Sequence, residues 1–308
     1  LDSVCSTFLT HNDTLITDGY CLLIKCPALL DHYKGSANMD LELENLTALI
    51  TGASRGIGKA ITLSLAKEGC KLSVCARGEQ DLIALTKDLT ELQAEPNQES
   101  ALIKAENVLA TMADVTQPDQ VNRVVEKTVN AFGGLDLLAL CAGGSFGGDI
   151  GANTIEDWRK TFDLNLFHSY SFIDKALPFL KKSPAPAILV VTSISGWKPT
   201  IHRAQYAAAK AAQIHMVQSL AQELGPAGIR INSIAPGSTM VTEGGWDEFS
   251  TNKPDEFQRF TSTEFPFSRL AAPKEIADVC TFLLSKRASW IHGANIPVDG
   301  GQRLPSCR

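Results

Sequence analysis

Tyr206 and Lys210 stand either side of three alanines in the run Tyr206-Ala207-Ala208-Ala209-Lys210. Alanine is the best helix former, so this run predicts a helix with both side chains on one face, one turn apart. A phenol of pKa about 10 is a poor acid at neutral pH, but an ammonium nearby favours the phenolate and lowers that value. Such a pair can give and take a proton. A plain amphipathic helix with a surface Tyr and a solvated Lys has the same spacing, so the elements that would position the pair must decide.

The first of these is the apolar run Leu46 to Ile50, which leads into Thr51-Gly52-Ala53-Ser54-Arg55-Gly56-Ile57-Gly58 and then a helical pattern closing at Gly69. Strand, glycine loop and helix are the frame that phosphate binding demands. Gly52 suits the tight turn, Gly56 the close approach of a pyrophosphate and Gly58 the packing of helix on strand, while the helix N-terminus favours the anion. Lys71 to Ala76 reads as the second strand. Near its end NAD-selective sites carry an acid for the ribose hydroxyls, but here Ala76 is followed by Arg77, with Arg55 in the loop. Two guanidinium groups suit a 2′-phosphate, which favours NADP(H). NAD(H) stays possible if both arginines are ordinary surface residues.

Helical spacing follows over Gln80–Glu95, then a polar loop from Pro96 to Ala105 and a third strand, Val108 to Ala113, ending at Asp114. That carboxylate could accept from an adenine amino group or cap the next helix, Pro118 to Phe132. The fourth strand, Leu135 to Cys141, is continuously apolar, as in a parallel strand covered on both faces. It opens into Ala142-Gly143-Gly144, where small residues let a cofactor lie close. A long helical pattern, Thr154 to Leu180, contains Asn165, whose amide must find partners if buried. Further strands are Ala187 to Val191, Arg230 to Ala235 and Ala294 to Gly301, with a Pro-started helix at Pro273 to Leu284. This alternation specifies an α/β fold, a doubly wound parallel sheet of about seven strands with helices on both faces.

Together, Thr51-Gly-x-x-x-Gly56-x-Gly58, Asp114, Ala142-Gly143 and Tyr206-x-x-x-Lys210 resemble the short-chain dehydrogenase/reductase family over about residues 42–303. The resemblance implies a single-domain Rossmann fold at 39–308 and a nicotinamide cofactor. Ser54, Ile57 and Val115 join the cofactor contacts, with Pro236-Gly237 beside the nicotinamide and Thr239 within reach of the cofactor. It also implies a catalytic serine about thirteen residues before the tyrosine, which is Ser193 with Ser195 as the fallback. Asn165 would mark a helix kink whose carbonyl holds a relay water for Lys210, although an internal hydrogen bond explains it nearly as well. One departure is Leu140-Cys141-Ala142-Gly143, where the family commonly has Asn-Asn-Ala-Gly; side-chain bonds bracing the central strand are thereby lost.

Between Ser238 and Arg269 the strand–helix rhythm lapses, and Trp246, Phe249, Phe257, Phe260, Phe265 and Phe267 cluster there. By resemblance this is the lid over substrate, which implies an apolar pocket mouth; rings packing the segment onto its own domain are the equal alternative. The resemblance extends to 3-oxoacyl-(acyl-carrier-protein) reductases, hence to a carbonyl or acyl-thioester substrate. The same chemistry in reverse makes a sugar, polyol or other secondary-alcohol dehydrogenase, and a nucleotide-sensing protein without catalysis is the third reading. The Asp299-Gly300-Gly301 ending is similar to that of tetrameric reductases and implies a homo-oligomer, tetramer or dimer.

The chain has 308 residues, 44% of them hydrophobic, and a net charge of −6 without any basic run, so neither nucleic acid nor an anionic membrane has electrostatic support. Its eight cysteines form no C-x-x-C pair and no metal-binding spacing, consistent with a reducing cytoplasm and no metal site. Residues 1–38 show no helical or strand period, and the run Tyr20 to Leu30 is too short to span a bilayer. They lack the marks of a secretory or transit leader. The expectation is a working polypeptide that begins at Met39, with 1–38 a disordered or non-native extension; a genuine appendage packed on the domain is the alternative.

Overall fold

In the computed structural model, which describes residues 39–91 and 105–305, the short apolar runs become parallel strands. They are β1 (Thr47–Thr51), β2 (Lys71–Ala76), β3 (Val108–Met112), β4 (Leu137–Leu140), β5 (Ala187–Val191), β6 (Arg230–Pro236) and β7 (Asn295–Val298). They pair in the order β3-β2-β1-β4-β5-β6-β7, every neighbour parallel. The order reverses between β1 and β4, so the carboxyl ends of these two strands diverge into a crevice, the place where open α/β sheets bind ligands.

Alternate strand residues face opposite layers. Ile50, Leu72 and Leu189 pack with α1 (Gly56–Lys67), α2 (Glu79–Glu91) and α9 (Pro273–Leu284). Leu49, Leu138 and Val190 pack with α3 (Pro118–Phe132), α5 (His168–Leu180) and α6 (Ala204–Leu224). Local chemistry sets several ends. Pro118 opens α3, and Gly133 closes it in the left-handed region at φ 81°. The half-buried Arg230 guanidinium donates to the carbonyls of Leu283, Leu284, Ser285 and Ala288, ending α9 and tying it to β6. Asp136 accepts from the Thr47 amide at 2.8 Å and the Ser183 hydroxyl at 2.5 Å, joining the starts of β1, β4 and β5.

Two segments break the continuous sequence pattern, the first at Asn165, where the resemblance implied a helix kink. The helix expected over Thr154 to Leu180 is α4 (Ile155–Phe162), a π turn at Asp163–Phe167, then α5. The interruption centres on Asn165, whose amide reaches out of the helix to a neighbouring loop. The segment where the rhythm lapses is itself helical, as α7 (Gly245–Asn252) and α8 (Pro254–Glu264).

No described helix is long and apolar enough to cross a membrane, and no described cluster of His, Cys, Asp and Glu could hold a metal. Cys70, Cys75, Cys141 and Cys280 are free thiols. Burial raises all four, Cys75 and Cys141 to about 12, which disfavours the reactive thiolate. The unit that holds the sheet runs from Leu41 onward. The expectations for residues 1–38, for most of the loop Pro96 to Ala105 and for Cys5, Cys21, Cys26 and Cys307 lie outside the described residues.

Candidate active site

The β1–β4 crevice is a cavity of about 520 Å³ that reaches from the glycine loop to Tyr206. Its floor admits only glycine at two places. Gly52 lies at φ 62°, where a Cβ would stand 2.8 Å from the Ala142 Cα; at Gly58 a Cβ would stand 2.2 Å from the Gly52 carbonyl oxygen. The loop, α1 and the exit of β4 are thus held in backbone contact. Thr51 Oγ1 accepts from the amides of Cys141 at 3.0 Å and Ala142 at 3.2 Å. This hydroxyl braces the strand end at the point where the resemblance led us to expect a lost brace.

Arg55 and Arg77 line one end of the cavity and are exposed, with Ser54, Gly56, Ile57 and Val115 beside them. Asp114 is not among the lining residues. Its Oδ1 accepts from the amide of Thr116 at 3.0 Å and from the Thr116 hydroxyl at 2.8 Å, so the carboxylate closes the turn between β3 and α3. Its neighbours Ala113 and Val115 line the cavity, and the N-cap position of α3 is Gln117, which makes no side-chain cap bond. At the other end lie Gly143, Pro236, Gly237 and Thr239, with Ser193, Tyr206 and Lys210.

Asn165 is fully buried. Its Nδ2 donates to the carbonyls of Gly144 at 2.7 Å and Thr161 at 2.6 Å, and its Oδ1 accepts from the Gly144 amide at 3.3 Å. The side chain therefore pins the loop after β4, and the bond to Thr161 belongs to the π turn. Its backbone carbonyl accepts from Ser169 Oγ at 2.7 Å and Gln213 Nε2 at 2.8 Å. A carbonyl oxygen has two lone pairs, and both are engaged by side chains. Ser169 and Gln213 thus occupy the carbonyl at which the resemblance implied a relay water.

Lys210 is 3% exposed, and its Nζ donates to the Val191 carbonyl at 2.9 Å. That nitrogen lies 5.6 Å from the centroid of the Tyr206 ring. Burial pushes the ammonium down to about 7, against a small opposing effect of Cys141. Behind it, burial and the Lys210 charge push His168 down to about 3, so that imidazole is neutral. Ser193 caps the turn Ile194–Gly196; its Oγ accepts from the Ser195 amide at 3.1 Å, leaving the hydroxyl proton to donate. Gly196 packs this turn on α6, where a Cβ would meet the Lys210 carbonyl at 3.1 Å. Ser195 is 5% exposed, more deeply set than Ser193.

Of the six lid aromatics, Trp246 alone lines the cavity. Five of the six, Trp246 included, form a small core of their own: Trp246 stacks on Phe260 at 4.9 Å, Phe249 meets Phe257 at 5.7 Å and Phe260 at 6.4 Å, and Phe260 meets Phe265 at 5.8 Å. Phe267 is exposed. The expected apolar mouth is therefore one indole, and the packing alternative accounts for most of the rings.

Sequence reasoning missed Arg203, Gln302 and Pro305 in the cavity wall. Gln302 is fully buried, accepting from the Ser238 amide at 2.7 Å and donating to the Ser238 hydroxyl at 3.0 Å. Nothing periodic marks a polar residue in a C-terminal coil, so only the fold shows it. Gln213 did leave a trace, an amide on the helix three residues after Lys210.

A nicotinamide dinucleotide fits these residues. The cavity joins a glycine-only floor and two arginines to a Tyr–Lys–Ser cluster, and no Asp or Glu is among the residues lining it. The comparisons agree. The sequence profile described as Enoyl-(Acyl carrier protein) reductase matches residues 52–303. The chain is 33% identical over 266 residues to isoepoxydon dehydrogenase patN of Penicillium expansum, covering 84% of this chain and 95% of that one. It is 32% identical over 258 residues to the 3-oxoacyl-(acyl-carrier-protein) reductase FabG of Staphylococcus aureus strain Mu50, covering 84% and 98%. L-sorbose reductase from Gluconobacter frateurii, solved with NADPH and L-sorbose, superposes with a TM-score of 0.77 at 29% identity over 86% of this chain and 98% of that one. A 7α-hydroxysteroid dehydrogenase solved with NADH and 7-oxo glycochenodeoxycholic acid gives 0.76 at 27% identity, over 87% and 99%. Sheet order, glycine loop, the Tyr206–Lys210 helix and these matches lead to one conclusion: the chain belongs to the short-chain dehydrogenase/reductase family and is an oxidoreductase.

Proposed function

We propose that this protein reduces a carbonyl to a secondary alcohol with NADP(H), and that 3-oxoacyl thioesters are the first substrate class to test. One observation carries the reading: a single acid-free cavity joins Arg55 and Arg77 to Tyr206, Lys210 and Ser193. The bound nicotinamide supplies the hydride. Arg55 and Arg77 hold the 2′-phosphate through charge-assisted hydrogen bonds. Gly52, Gly56 and Gly58 keep the cavity floor bare, and the start of α1 faces the pyrophosphate. Ser193 donates to the substrate oxygen and stabilises the negative charge that develops on it. Tyr206 gives that oxygen its proton as general acid. Lys210, anchored by Val191, holds the ribose hydroxyls and in its charged form favours the phenolate. Asn165 positions this end by fixing the Gly143–Gly144 loop.

Tyr206→Phe tests this. It should reduce turnover at least about a hundredfold, the lower end of a general acid's contribution, and leave NADPH affinity near that of the wild type. Wild-type turnover in the variant would end the assignment. A cofactor-oxidation screen of NADPH against NADH with 3-oxoacyl thioesters, simple ketones, quinones and sugars would fix the class. The likeness to L-sorbose reductase favours a sugar or polyol as the second reading. Retention of Ser193, Tyr206 and Lys210 together argues against a protein that only senses nucleotides. We also infer a homo-oligomer working in the cytoplasm. The exposed Ile155, Phe167 and Tyr170 around the π turn support self-association, and sedimentation of a monomer at micromolar concentration would refute it.

A further inference from the structure

We propose that Arg203 binds an anionic group, a carboxylate or a phosphate, that the substrate carries close to its reacting carbonyl. The proposal rests on the carbonyl-reductase reading and moves its substrate from the uncharged 3-oxoacyl group of a thioester to a small ketone that carries its own anion.

Four cationic side chains and no described acid line the cavity. Three already have work there: Arg55 and Arg77 at the glycine-loop end, and Lys210 beneath Tyr206. Arg203 is left over. It lies three residues before Tyr206, about 4.5 Å of helix rise, so it belongs to the catalytic end of the cavity. Its side chain is half-buried, and among the described residues it has no ion pair and no acceptor. Asp149 pairs with the neighbouring His202 at 2.5 Å instead.

The position is also a poor one for a structural cation. Arg203 is the N-cap of α6, offers no side-chain cap, and no acid follows in the first turn. A positive charge at a helix start opposes the macrodipole. Two arginines outside the cavity show the contrast: Arg269 binds Glu275 at 2.7 Å, and Arg230 binds four carbonyls. Nor is the rim loose. Gln205, fully buried, donates to Ser145 Oγ at 3.3 Å and accepts from Asn153 Nδ2 at 3.3 Å, fixing the start of α6 against the loop after β4. A guanidinium with open donors on this fixed backbone, lining an acid-free cavity, recognises an anion with planar oxygen pairs. An anion bound there sits within a few bonds of the oxygen that Tyr206 protonates.

The test compares matched substrates: acetoacetate with methyl acetoacetate, and dihydroxyacetone phosphate with dihydroxyacetone. With wild-type enzyme and NADPH, the charged member of at least one pair should have a kcat/KM about ten- to a hundredfold higher, carried mainly by KM, as one charge-assisted hydrogen bond would give. Arg203→Met should bring that ratio close to one with the KM for NADPH held, and Arg203→Lys should restore part of it. No preference in wild type, equal loss on both members, or a loss in NADPH affinity would each overturn the proposal. Dependence on Arg203 seen solely with acetoacetyl-coenzyme A, whose phosphates lie far from the carbonyl, would overturn it too. Calorimetry of the NADPH-bound protein with 3-hydroxybutyrate and glycerol 3-phosphate, a dead-end pairing of reduced cofactor with alcohol, gives a readout free of turnover. Binding lost in Arg203→Met without any carbonyl reduction would sustain the anion site and remove the reductase reading. Reduction without charge preference would do the opposite.

Discussion

Replacing Lys210 with methionine should stabilise the folded protein at neutral pH while abolishing reduction. Burial holds the Lys210 ammonium at about 7, whereas an unfolded lysine titrates at about 10.4. Between these values the unfolded chain keeps the proton that the folded chain releases, so this residue makes stability rise with pH, by about 1.4 kcal/mol per unit. The whole penalty, about 5 kcal/mol, is present below the folded value and gone above the unfolded one. Methionine fills similar space without charge but leaves the Val191 carbonyl short of its donor, a loss of about 1–3 kcal/mol. Near pH 7 the variant should therefore be the more stable by roughly 2–4 kcal/mol. The gap should close as pH rises. Neutral His168, pushed down to about 3, exerts its own effect below about 6.5 and does not enter this window. Urea unfolding of both proteins without cofactor, at one protein concentration from about pH 7 to about pH 9.5, measures the difference; it should change by about 1.4 kcal/mol per unit. A difference that stays flat across that range would refute the reasoning, because Lys210 would then titrate as an exposed lysine does.

Alanine at Arg55 or Arg77 should raise the KM for NADPH about tenfold or more, the value of a charge-assisted contact, and leave the KM for NADH in place; equal loss with both cofactors would remove the 2′-phosphate assignment. Gly52→Ala forces a Cβ to 2.8 Å from Ala142 at φ 62°. It should destabilise by about 1–3 kcal/mol and weaken cofactor binding in a fluorescence titration. Gly228→Ala, at φ 72° with nothing within 4 Å, should cost about 1 kcal/mol and leave binding alone. Similar losses at the two positions would mean that backbone angle, not the packing of the glycine floor, sets the cost.

Elements whose information is local are legible in the amino-acid order itself. The helix expected over Pro273 to Leu284 has those bounds, and β2 and β5 run as expected over Lys71–Ala76 and Ala187–Val191. Helix spacing, a proline at the first turn and a continuous apolar run each act within a few residues. The π turn is not legible in this way, because it depends on Asn165 meeting Gly144, which lies 21 residues away. The lid aromatics mislead for a related reason: composition reveals a cluster of rings but not that the rings face one another.

At the site, the sequence alone determined the reactive types and their spacing: Tyr206 and Lys210 on one helix face, the three-glycine loop, Ser193 and the two arginines. The helix face and the loop follow from helix geometry and backbone angles, which a residue carries wherever it sits; Ser193 follows from the family resemblance, and the two arginines from their charge. Tertiary structure decided what surrounds them. It tied Asp114 into the turn before α3, filled the Asn165 carbonyl with Ser169 and Gln213, and brought Gln302 and Pro305 from the far end of the chain to the cavity wall. It also excluded water from Lys210 and left Arg203 without a counter-charge among the described residues. Burial and charge balance are properties of whatever closes around a group, and that closure is made by residues remote in sequence.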